Sequence, residues 1–388
     1  MSNPLPQPTP EQPSTLTLAA AEAYLIGLYV GAEAFLMAQV TRILKRMTPG
    51  VIGAGVARQQ VRQVVRNVVG QLEQRTPPLV GQVVDLAGRD GWRSGGAGGS
   101  GGGGSHGGFM PPNPNPGFDP YELHGARAAR AIRDDLTSEL LDVRYRLTRL
   151  DEDVYKLIGP VGGAGQVLPN GFTPQQAQAK AWREFVARGI TGFTDKSGRD
   201  WSLSAYTEMA VRTAAARSYN ASRLQLLQFQ GINLCFVDDT GHPCPLCFPW
   251  QGVILCITDD GEHPTVEQAT AAGLFHPNCR HHLAAYFPGR TTLAPPQEWT
   301  PAHADAYKAT QKQRALERDI RAAKRQAQYA LTSQSAAESR ADIRNGQAKL
   351  RQFLADNPDL NLLRHSRREQ VQFSNATINV LPYDRAMR

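Results

Sequence analysis

The chain has 388 residues, 41% of them hydrophobic and 20% charged, and a formal net charge of +7. That length fits two or three domains, or one core with long helical arms, and the modest apolar content argues against one dense enzyme core. A mean hydropathy of -0.39 fits many solvated helices, and a pI near 9.2 points to an acidic partner.

The first fifteen residues, "MSNPLPQPTPEQPST", are polar and Pro-rich and are expected to be disordered. They do not read as a secretory signal, which predicts synthesis in a reducing cytoplasm, where clustered cysteines more often bind metal than pair. The apolar stretch that follows is interrupted by Glu22 and Glu33. Its longest clean run, Ala23 to Ala32, is short of the roughly 20 residues a membrane span needs, so a buried or partner-packed helix is expected. Helical periodicity continues over about 56–75 and 77–89, then stops in the Gly/Pro-rich stretch 94–118, which reads as a flexible linker with an inert His106.

Helices are expected again at about 120–157. "TPQQ" at 173–176 forms a capping box that opens a helix to about 188. The stretch 192–201 is rich in turn residues, and 202–231 reads as one long helix. On that helix Tyr206, Met209 and Thr213 share a face, and Glu208 stands four residues before Arg212. Two short strands are expected at 232–237 and 252–257. Thr265, Gln268 and Gly273 cap and stop a short helix between them and the chain's second half of the cluster described below. A Thr-Pro signal at Thr300 starts further helix, in one or two pieces, to about 355. Between 302 and 352 eleven Lys and Arg face five acids. This is either a solvated basic helix or a surface for nucleic acid or an acidic partner, with Arg318, Arg321, Lys324 and Arg325 as candidate contacts.

The predicted organisation is therefore a disordered 1–15, a helical region 16–93, a linker 94–118, a central helical domain 119–231, an α+β knob 232–290 and a basic helical region 291–388. The expected fold class is mainly α with a small zinc-clipped α+β subdomain.

Four of the five cysteines and five of the nine histidines fall within residues 242–282. Cys244 and Cys247 are spaced C-x2-C; His276 and Cys279 are spaced H-x2-C. Two tight pairs of N and S ligands flanking a small folded segment fit a closed, structural Cys3His zinc site. Such a site carries a formal charge of -1, which Arg280 could offset. His281 or His282 could stand in for His276, and Cys256 and Cys235 read as buried thiols within strands. Two enzymatic alternatives use the same letters: a Cys279–His nucleophilic dyad, for which no oxyanion turn is evident, and a zinc-backed nuclease of the His-Asn-His type.

The run "WSLSAYTEMAVRT" (201–213), followed in order by "HPCPLCFPWQGVI" and "HPNCRHH", resembles the minor capsid proteins of tailed bacteriophages, related to the Mu F-like head morphogenesis proteins. The resemblance covers about residues 119–370. It implies a non-enzymatic virion component of the phage head, associated with the portal or the inner capsid, acting in head morphogenesis and in DNA packaging or ejection. It further implies partnership with the portal protein and other head proteins, contact with packaged DNA through the basic helix, and neither membrane nor small-molecule substrate. The suspected metal positions of Mu F-like sequences fall on Cys244, Cys247, His276 and Cys279, and His281 takes the place of a further cysteine found in some of them. On the residues alone, Trp201, Glu208 and Arg212 are better explained as core and helix-pair residues than as a site.

Overall fold

The computed structural model describes residues 17–47, 52–93, 121–122, 126–158, 173–189, 193–194, 200–241, 244–295 and 297–360. The expected disordered segment 1–15 and linker 94–118 lie outside them.

Two long helices open the chain: α1, Leu18–Met47, and α2, Ala54–Arg93. By length and composition α1 could cross a membrane, but half of its most apolar window is buried inside the protein. Helix α2 runs unbroken through Pro77 and Pro78, where the sequence predicts a break between two helices. Its buried residues explain the continuity. Val61, Val65, Val68, Leu72, Thr76, Val80, Val83 and Ala87 follow one another at three- and four-residue steps, so the apolar stripe keeps its phase across the prolines. Packing along that stripe offsets the roughly 3 kcal/mol that an interior proline costs.

Helices α3 (Ala126–Leu141), α4 (Val143–Leu147), α5 (Leu150–Ile158), α6 (Pro174–Arg188) and α7 (Leu203–Phe229) complete a bundle in which α2 touches α1, α3, α5 and α7. One apolar cluster joins residues of every helix from α1 to α7, so the helices before and after 94–118 share a single core. The caps predicted at Thr173 and Thr265 form with both reciprocal hydrogen bonds. Helices α2 and α7 cross closely: a Cβ on Gly91 would lie 2.2 Å from the Tyr219 carbonyl oxygen, and the Ser218 hydroxyl donates to the Val84 carbonyl at 2.8 Å.

Glu33, which interrupts the apolar pattern of α1, is 4% exposed, and its Oε2 accepts the Ser204 N–H at the start of α7 at 3.1 Å. A carboxylate there meets an otherwise unpaired helix N-terminal amide and the positive end of the helix dipole. The expected Glu208–Arg212 pair forms at 2.8 Å.

Before α7, Phe193–Thr194 (β1) and Asp200–Trp201 (β2) pair antiparallel, where the sequence suggested turns alone. Beyond it lies the knob. Strands β3 (Leu234–Val237), β4 (Leu255–Cys256) and β5 (Leu283–Ala285) form an antiparallel sheet in the order β4-β3-β5, with α8 (Val266–Ala271) between β4 and β5. The strands expected at 232–237 and 252–257 are present in shortened form, whereas β5 was missed. Finally α9 (Pro301–Gln328) and α10 (Ser333–Ala355) form a helical hairpin lying against α6. The Trp182 indole N–H of α6 donates to the Tyr329 carbonyl in the α9–α10 turn at 2.9 Å, both residues being buried.

Candidate metal centre

The first pair of candidate ligands stands on a tight turn. The amides of Cys247 and Phe248 both donate to the Cys244 carbonyl, at 3.2 and 2.9 Å, which brings both side chains to one side of the loop. The second pair stands on a matching turn, closed by the Cys279 N–H to the His276 carbonyl at 2.8 Å. That turn is tightly bent: Phe275 and Asn278 have φ of 60° and 63°, a conformation asparagine tolerates better than most non-glycine residues. Helix α7 supports this turn. Thr213 Oγ1 accepts the Asn278 N–H at 3.2 Å, and buried Asn220 clamps the following strand, accepting from the Leu283 N–H at 3.1 Å and donating to the His281 carbonyl at 3.2 Å.

The two turns face each other. Cys244 Sγ lies 3.1 Å from His276 Nε2, and Cys247 Sγ lies 3.6 Å from Cys279 Sγ. Around one tetrahedral zinc, with Zn–S near 2.3 Å and Zn–N near 2.0 Å, neighbouring ligand atoms stand about 3.5–3.8 Å apart. The chemistry of the donor set and its spacing fit such an ion. The ligand atoms fall into two triads, Cys244–Cys247–His276 and Cys247–Cys279–His281, each within 4.8 Å and joined through Cys247.

Protonation in the cluster follows from this crowding. Hydrogen bonding from Cys247, assisted by His276, pushes the Cys244 thiol down to about 3 against the cost of burial. The same Cys247 contact, assisted by His281, pushes Cys279 down to about 4. Cys247, shared between the two, is pushed strongly up. Two thiolates pressed against a third sulfur are the electrostatic pattern that a divalent cation stabilises.

Hydrogen bonds also separate the two histidines. His276 Nδ1 stands 2.8 Å from the Pro277 carbonyl, which can only accept, so Nδ1 carries a proton; Nε2 faces Cys244, a contact that raises the His276 pKa, and it is the nitrogen that would give up its proton to bind a metal. This is the arrangement of a ligating histidine whose other nitrogen is held by a carbonyl. Buried His281 instead stands between Cys279 Sγ, 3.4 Å from Nδ1, and the Gln251 side-chain amide, 2.9 Å from Nε2, and its backbone N–H points at the same sulfur at 3.5 Å. It is placed to donate to the Cys279 thiolate. His282 lies against the Tyr219 ring at 4.5 Å, and Arg280 is exposed.

The remaining cysteines are buried thiols. Cys235 sits within β3, where burial pushes its thiol up to about 12, and Cys256 in β4 donates to the His263 carbonyl at 3.1 Å. Asp259 and Asp260 also come near Cys256, but Asp260 is occupied by the amides of Glu262 and His263 and by the His263 ring. Gln251, Asn220 and Thr213 were not singled out as supports of the centre. Asn220 and Thr213 are polar residues on the buried side of α7, but so are Thr207, Ser218, Ser222 and Arg223, so polarity alone does not mark them.

The candidate nucleic-acid contacts separate by exposure. Arg318 is exposed, whereas Arg321, Lys324 and Arg325 are half-buried. Arg325 donates to the Ala187 carbonyl at the end of α6 at 3.1 Å, and Arg321 feels the charges of Glu317 and Glu208.

A mainly helical protein with a small sheet and a Cys/His cluster at its side is the class these features define. Residues 145–355, more than half of the chain, match the family model of phage minor capsid protein 2, and the chain belongs to that family. It is accordingly a virion component with a structural role, whose partners are other head proteins. No curated protein and no solved structure matches it.

Proposed function

We propose that this protein is a minor structural component of a tailed-phage head, seated beside the portal or on the inner capsid, and that Cys244, Cys247, His276 and Cys279 bind one structural zinc ion that holds the knob folded. The observation that carries the reading is the convergence of two separate turns, 28 or more residues apart in sequence, on one cluster of three sulfurs and a ring nitrogen. With four protein ligands the ion has no open position for water, so its contribution is to folding and not to catalysis. Two further supports come from around the cluster: His281 and Asn220 orient the second turn, and Phe248, next to Cys247, packs on Trp299 and His303 at 5.0 and 4.8 Å. The clip thereby also anchors the start of α9. Assembly at the portal, and contact with DNA during packaging or ejection, are the roles this design would serve.

Two measurements test the reading. Metal analysis of the purified chain should give one zinc per protein, and substoichiometric metal would remove the clip. Electron cryomicroscopy of virions around the portal vertex should place a few copies of the chain there; density confined to the tail would overturn the location. A nuclease predicts that plasmid is cut in the presence of Mg2+ or Mn2+, and the structural reading expects it to stay intact.

A further inference from the structure

We propose that the outer face of α10 is the surface on which this chain holds the phosphate backbone of duplex DNA, with Arg340, Arg344 and Arg351 as its contacts. The inference deepens the DNA contact proposed above and rests on that reading for the identity of the polyanion.

At 3.6 residues per turn, positions 340, 344 and 351 fall within about 40° of one another around the helix and span about 16 Å of its axis. All three are exposed, and among the described residues none of them makes an ion pair. The other exposed residues on that strip, Ser333, Ala337, Ala348 and Ala355, are small and uncharged, and half-buried Gln347 beside Arg340 is neutral. The acids of α10 lie on the far side and are already engaged. Arg183 of α6 pairs with Glu338 at 2.8 Å and also with Asp342, while Asp356 accepts from the Gln352 side chain at 2.7 Å. Docking on α6 thus sorts the charges of α10, carboxylates inward to Arg183 and guanidinium groups outward.

On α9 the corresponding row is divided: Arg314 and Arg318 are exposed, whereas Arg325 donates to the Ala187 carbonyl and Arg321 is half-buried near Glu317 and Glu208. Of the two basic helices, α10 therefore presents the continuous, unneutralised face. Arginine forks match phosphate oxygens, and over about 16 Å a duplex lying along the helix offers roughly ten phosphate charges. The proposed contacts are to phosphates, so binding is expected to be independent of base sequence.

The test is fluorescence anisotropy of the full chain with a short mixed-sequence DNA duplex, titrated between about 50 and 200 mM salt. Replacing Arg340, Arg344 and Arg351 by Gln should weaken binding at least about tenfold and flatten the log–log salt dependence by about 2.7, at roughly 0.9 per lost phosphate contact. Arg318→Gln, Arg321→Gln, Lys324→Gln and Arg325→Gln together should change the slope by less. If the wild-type chain does not bind the duplex, both the DNA contact and this surface fail. If it binds and the α9 variant takes the loss while the α10 variant is unchanged, the surface assignment alone falls. Equal affinity for polyglutamate would also overturn it, in favour of an acidic protein partner.

Discussion

In the helical body, α1, α2 and α7 run for 27 to 40 residues each and meet in one apolar cluster that reaches every helix up to α7. In the knob, three strands of two to four residues and a six-residue helix surround a much smaller cluster, two of whose buried members, Cys235 and Cys247, are cysteines. The body can be stabilised by burial along continuous helix faces. The knob has neither the strand length nor the apolar area for that, and segments of this size generally need a metal, disulfides or a docking partner. It has a docking partner in α7, whose Leu224 and Leu227 pack into the knob while its Asn220 and Thr213 hold the second turn, and it carries the Cys/His cluster proposed to hold a metal.

The largest effect should come from breaking the knob's device alone. Cys247→Ser, or a strong zinc chelator, should strip the metal and unfold residues 232–290, because structural zinc contributes on the order of 10 kcal/mol of folding free energy in small domains. Hydrogen exchange should then become fast at the β3 and β5 amides and stay slow in α2, and equal protection in both states would show that the centre does not hold the knob. The complementary break is Leu25→Ala, at a residue with 0% exposure in the middle of the body core. It should cost about 2–5 kcal/mol in the helical transition by calorimetry and leave one zinc per chain.

Smaller changes sharpen the boundary between the two regions. Gly91→Ala would press a methyl group onto the Tyr219 backbone and force α2 from α7, a strain expected to cost about 1–3 kcal/mol and to lower the melting temperature. Trp182→Phe removes the hydrogen bond to the Tyr329 carbonyl, and a loss of about 1 kcal/mol in denaturant titrations, with faster exchange in α9, is expected. Glu208→Ala breaks an exposed pair and should change stability by only about 0.3–0.5 kcal/mol, within the error of most melts.

His276 and His281 show how far local sequence could go. Both lie in "HPNCRHH", and spacing alone admits either as the fourth ligand. The proposal of His276 rests on partners that spacing does not contain, the Pro277 carbonyl on one ring and the Gln251 amide on the other. The basic tail is a second case. Charge counting identifies the segment, but it cannot tell Arg325, turned to Ala187, from Arg340, turned to solvent, because that depends on which face of each helix meets α6.

By itself, then, the sequence determined what is local. Helix periodicity, the Thr-Gln capping boxes at 173–176 and 265–268, the Cys244/Cys247 and His276/Cys279 pairs and the family motifs all depend on residues a few positions apart. Tertiary structure decided what depends on contacts across the chain: that α2 passes through Pro77 and Pro78 unbroken, that Glu33 caps α7, that a third strand completes the knob's sheet, and that α6 sorts the charges of α10. In each of these the local preference is weak or adverse, and the free energy that settles it comes from burial or pairing with a distant segment.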